Sequence, residues 1–146
     1  MKRYIAFPII GIAITLAYIL SATSMYDSLQ FDAAFLNEMY NKYLNIAITT
    51  SIICWVVAFI YYYVINSVRF SRWYHWLLML ILTVILAPGI TFYYPFAEFN
   101  ADGKDYMQQL ITLNFINIGI TILLFIVASF SIRWWSSNCR HTPIPE

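Results

Sequence analysis

A chain of 146 residues that is 62% hydrophobic and only 10% charged departs far from the roughly 45–50% apolar and 25% charged balance of soluble domains. One soluble core of this size cannot hide so much apolar surface, so the chain reads as a single membrane domain. Its net charge of +1, with no stripe of clustered Lys and Arg, excludes a nucleic-acid interface.

Four runs contain no Asp, Glu, Lys or Arg: Tyr4–Tyr26, Tyr43–Val68, Trp73–Ala97 and Tyr106–Ile132. Each exceeds the roughly 20 apolar residues a helix needs to cross a hydrocarbon core about 30 Å thick. The expected fold is all-α and integral to the membrane, with four transmembrane helices in an antiparallel bundle. Their predicted bounds are about 4–24, 33–66, 72–94 and 106–135, followed by a tail over 136–146.

The first span opens on Lys2-Arg3 and tolerates Pro8 in its first turn. Its apolar run is longer than that of a signal peptide, so a retained anchor is expected despite the small residues near Ser21–Ser24. Ala13, Ala17 and Ser21 recur every four residues, a small-residue strip along which another helix can approach.

In the second element Asp32 is the expected N-cap, with Phe31 and Leu36 placed for a hydrophobic staple. A helix over 33–66 is about 50 Å long, so its first turns extend past the outer head groups. Ala47, Ser51, Cys54 and Ala58 form a second small-residue face on it. The short link that follows forces a hairpin, and Arg69, Arg72, Trp73 and Trp76 mark a head-group level. His75 in that belt reads as a packing residue. Pro88-Gly89 predicts a kink or break in the third span, and Pro95 its end.

Asp105 and Gln108 make a capping-box pattern for the fourth helix. On that helix Asn114, Asn117 and Thr121 fall within roughly a 60° sector, and Ala128 continues the face. Amides do not face lipid cheaply, so this face is expected to meet protein through interhelical hydrogen bonds of about 0.6–2 kcal/mol each. A polar pore lining is the alternative. Arg133, Trp134 and Trp135 anchor the end of the helix, and the Pro143/Pro145 tail reads as a linker toward a cytoplasmic module.

Charge placement supplies orientation. The first and third connections carry six of the seven acids, whereas Lys2, Arg3, Arg69, Arg72, Arg133 and Arg140 lie in the N-terminus, second connection and tail. Lys and Arg are retained on the cytoplasmic side during insertion, which places both termini there and agrees with an even number of spans.

Chemistry is harder to find. No Asp, Glu, Lys or Arg lies at membrane depth, as ion-coupled transport generally requires. The sequence has no metal-ligand spacing, no paired carboxylates in a span, no Gly-rich phosphate loop and no C-x-x-C. Cys54 and Cys139 are expected to stay unpaired and inert. The expectation is no enzyme, no cofactor and no metal, but a scaffold that oligomerises or docks on other envelope proteins. The alternatives are a pore of the holin or defence-effector class and a membrane immunity protein.

The segment from Arg133 through Trp134-Trp135-Ser136-Ser137-Asn138-Cys139-Arg140-His141-Thr142-Pro143-Ile144-Pro145, with the four-span layout, resembles the membrane region of the TssN family of the Bacteroidetes type VI secretion apparatus. The resemblance implies a bacterial inner-membrane subunit of a trans-envelope complex, and it carries no catalytic signature.

Overall fold

Uncharged apolar runs give the backbone nothing to bond to in lipid except itself, and the chain meets that demand with helices. The computed structural model describes residues 2–29 and 31–143, with side chains from Ile5 onward. α1 spans Lys2–Asp27, α2 Ala33–Phe59, α3 Trp73–Ala101 and α4 Met107–Ile132. α2 runs on into a π-helical turn, Ile60–Ile65, and 3₁₀ turns occupy Val68–Phe70 and Arg133–Trp135. Four helices are thus long and apolar enough to cross a membrane.

Contacts between their ends define two poles. At the acidic pole, Tyr26 from the end of α1 stacks on Tyr43 of α2 at 5.2 Å. There too Phe99 from the end of α3 forms a three-ring cluster with Phe35 and Tyr106. At the basic pole Phe7 of α1 stacks on Trp134 at 5.3 Å. Two apolar clusters fill these poles. The acidic one gathers Tyr26, Phe35, Met39, Tyr43 and Phe99; the basic one gathers Cys54, Tyr61, Tyr62, Phe125 and Ala128.

α2 and α4 each touch the other three helices, and α2 is the more deeply buried of the two. The most apolar window of α2 is 44% buried against 17% for α1. α1 leans on α2 and α4 through one narrow face, Gly11, Thr15, Ala22 and Tyr26, all buried. Trp55 Nε1 of α2 donates to Thr15 Oγ1 at 3.0 Å. The rest of α1 is open apolar surface, with Ile9 61% and Leu20 82% exposed, as suits hydrocarbon rather than water.

The predicted bounds need two corrections. α2 starts at Ala33 as expected, but Asp32 holds the N-cap position without a side-chain capping bond. The larger difference is in α3, predicted to break at Pro88-Gly89 and stop by Pro95. It continues through both prolines to Ala101. Each proline strips a partner from the carbonyl four residues back, Val84 for Pro88 and Thr91 for Pro95. Between them Thr91 Oγ1 donates to Ala87 O at 2.9 Å and lies 3.3 Å from Pro88 O, a local bond within the helix that does not replace the lost ones. Beyond Pro95 the last turns are held by Phe99 in the acidic-pole cluster and by Glu98, which pairs with Lys42 at 2.7 Å. Gly103 then reverses the chain with φ +68°, a conformation that favours glycine.

Candidate functional site: a polar layer and a tail clasp

Between the two apolar clusters lies a layer of buried hydroxyls and one amide. Asn117 of α4, 2% exposed, donates through Nδ2 to Thr91 Oγ1 of α3 at 2.8 Å. Its Oδ1 accepts from Thr50 Oγ1 of α2 at 3.3 Å. Thr121 Oγ1 donates to Asn117 O at 2.7 Å, and Cys54 Sγ lies 3.6 Å from Thr121 O. One side chain therefore ties three helices at mid-depth. Each tie satisfies a polar group that would otherwise be costly to bury.

The expected helix-four face is thus brought together only in part. Asn117, Thr121 and Ala128 are buried. Asn114 is half-buried and lines a small crevice with Ile46, Thr91 and Phe92. Of the two small-residue strips, Ala47, Ser51, Cys54 and Ala58 are packed inside. Ala13, Ala17 and Ser21 are exposed, because α1 turns its Gly11/Thr15 side inward instead.

Sequence reasoning missed Thr50 and Thr91, the two partners of Asn117. Neither stands in a pattern that distinguishes it from ordinary helix threonines. Above Thr91 an open crevice of about 320 Å³ separates α2 from α3, lined by Asn45, Thr49 and Tyr94 and rimmed by Lys42 and Glu98. A second ion pair joins Lys104 to Glu38 at 2.6 Å. The hydrogen bond to Glu38 holds the Lys104 ammonium above the usual lysine range. Both pairs lie near the surface, so Glu98→Gln should change stability by less than about 1 kcal/mol, readable in thermal unfolding at low and high salt.

At the basic pole the tail departs from the expected free linker. Residues 136–143 fold back onto the end of α2. Asn66, at φ 28°, leaves the π-helical turn with its N–H still bonded to Tyr61 O at 3.2 Å. Asn is one of the few side chains that tolerates such a conformation. Its Oδ1 accepts from Ser136 Oγ at 2.8 Å and Asn138 N at 3.0 Å, and Nδ2 donates to Ser137 Oγ at 2.9 Å. Three consecutive tyrosines extend the clasp. Tyr61 OH donates to Phe70 O at 3.0 Å, Tyr62 OH to Thr142 O at 3.1 Å and Tyr63 OH to Ile132 O at 2.9 Å. The predicted helix over 33–66 ended at Asn66, but nothing in the sequence marked its hold on residues some seventy positions away.

Cys54 and Cys139 are both free and buried. Burial pushes the Cys139 thiol above its ordinary range. A raised folded value means this docking is intact near neutral pH and weakens as pH climbs through that value. Alkylation of Cys139 at pH 7–8 should therefore be slow. Asn66→Ala should speed it by about tenfold, the effect of a local opening made easier by about 1.4 kcal/mol. An unchanged alkylation rate in the variant would show that Asn66 does not hold the tail.

The expected anchors divide. Trp73 and Trp135 are well exposed and Arg69 and Arg72 are open. Trp76 packs on Phe125 at 5.6 Å and Trp134 on Phe7. Arg133, expected at the surface, is buried. The 3₁₀ turn after Ile132 tucks its guanidinium over Trp134 at 4.3 Å and Phe130 at 4.8 Å, where ring faces replace water.

Among the described residues no three His, Cys, Asp or Glu side chains gather as a metal site. No protein-family model, curated protein or solved structure matches this chain.

Proposed function

We propose that this chain is a non-enzymatic membrane scaffold: an antiparallel four-helix bundle with both termini cytoplasmic, seated in a bacterial inner membrane. It would serve as one subunit of a multiprotein envelope complex of the type VI secretion kind. The observation that carries the scaffold reading is the inward use of polarity. Asn117 spends its bonds on Thr91 and Thr50 within the chain, which favours a rigid support over a wet pore lining. The thin contact face of α1 adds to this, since it leaves the Ala13/Ala17/Ser21 strip open to another chain. The basic tail segment resembling TssN points the same way.

Mild-detergent purification, with identification and stoichiometry of whatever co-purifies, tests this reading. Recovery of a defined multiprotein assembly is the expected result. A monomer that recovers no partner and conducts ions across liposomes would replace the scaffold with the pore.

A further inference from the structure

The docked tail does more than cover the end of α2. Together with the start of α3 it walls a cleft of about 400 Å³ at the basic pole. Arg72 and Tyr74 stand on the α3 side, and His141, Thr142 and Pro143 on the tail side. We propose that this cleft binds the phosphodiester head group of an anionic phospholipid.

Three observations converge on that ligand. The first is charge. Arg69, Arg72, Arg133 and Arg140 lie at this pole, while every described Asp and Glu lies at the other, in its helix ends and connections. The cleft therefore has one lining cation, Arg72, on a pole with no competing carboxylate among the described residues. The second is the geometry of Arg72. Its Nη1 donates to Tyr74 OH at 3.3 Å, which orients the guanidinium and leaves the rest of the planar fork for an acceptor. Such a fork matches phosphate oxygens. α3 also begins here with no side chain capping its first turn, so the positive end of the helix adds to the field.

The third observation selects a lipid over a free anion. Trp73, 63% exposed, lines the same cleft and opens the apolar run of α3. An amphipathic ring at the start of a membrane-length helix belongs at head-group depth. An anion in this cleft would thus sit where acyl chains begin. Basic pockets at helix ends are the usual setting for such head groups. Because residues 141–143 form one wall, an occupied cleft would also hold the tail down and shield Cys139.

The test uses the full chain in two settings. Native mass spectrometry after extraction from mixed phosphatidylglycerol and phosphatidylcholine vesicles should find phosphatidylglycerol retained preferentially. Arg72→Gln should reduce that retention about fivefold, the size of one arginine contact near a charged surface. Arg69→Gln, at the same pole but outside the cleft, should leave it unchanged. In parallel, phosphatidylglycerol vesicles should slow Cys139 alkylation in the parent chain but not in Arg72→Gln. Equal retention by Arg72→Gln, or an equal loss in Arg69→Gln, would overturn the site. Protection of Cys139 by inorganic phosphate as strong as that by the vesicles would overturn the lipid as its ligand.

Discussion

Gly11→Leu is expected to pry α1 away from α4 and cost about 3 kcal/mol, at the upper end of what overpacking a tight contact does. A Cβ placed on Gly11 would fall 1.9 Å from Ser131 Oγ and 2.7 Å from Ser131 Cβ, with the Trp55 ring at 3.4 Å. A hydroxyl can rotate out of the way, but a Cβ is fixed to its helix, so the helices themselves must separate. Separation would also stretch the Trp55–Thr15 bond and the Phe7–Trp134 stack on either side. The cause can be isolated with smaller changes. Gly11→Ala gains up to about 1 kcal/mol of helix propensity in isolation, so a net loss in this variant reports the collision. Adding Ser131→Gly removes both colliding atoms and should recover stability, whereas Ser131→Ala, which keeps the Cβ, should recover only part. Unfolding in detergent measures all four. Parent-like stability in Gly11→Leu would mean that α1 does not press on α4 here.

What could be read without coordinates follows from the range over which each cause acts. Membrane-length helices follow from hydropathy and exclusion of charge along the chain, which is local information, and Asp32 marked the start of α2 at Ala33 although its side chain makes no capping bond. The end of α3 had no such local mark, because the forces that carry it past Pro95 are Phe99 packing and the Lys42–Glu98 pair, both reaching to another helix. The same distinction divides the candidate site. That Asn117 must meet protein was legible from the cost of an amide in lipid; that it meets Thr50 and Thr91 depended on helix rotation. α1 shows the limit most plainly. Its Ala13/Ala17/Ser21 strip and its Gly11/Thr15 face are both small-residue faces, and sequence offered no ground for choosing the one that packs. The tail had composition as its only signal, and prolines gave no hint of the hydrogen bonds to Asn66 and Tyr62 that dock it.

Asn117→Leu should lower stability by about 1–3 kcal/mol, the cost of removing a buried hydrogen-bonding partner of two other groups. Leucine keeps the branched shape but has larger methyl ends, so overpacking adds to the deficit and double-mutant cycles are needed to isolate the lost bonds. The two bonds are unequal. The amide lies 2.8 Å from Thr91 Oγ1 but 3.3 Å from Thr50 Oγ1. A double-mutant cycle with Thr91→Val should therefore give a coupling in the range of about 0.6–2 kcal/mol, and the cycle with Thr50→Val should give less. Thr91 retains its donation to Ala87 O when Asn117 is gone, which keeps the loss below that of an orphaned pair. The reverse order of couplings, or none at all, would remove Asn117 as the tie among α2, α3 and α4. Asn114→Leu serves as the contrast, since this half-buried side chain stands at the edge of the layer. On the scaffold reading, Asn114→Leu leaves unfolding nearly unchanged, and any effect falls on the recovery of partners. Asn117→Leu does the opposite: it weakens the fold first, and assembly only as far as the fold supports it. A pore lined by this face would instead lose conductance in both variants, so measuring stability, partner recovery and conductance on the same two proteins separates support from passage.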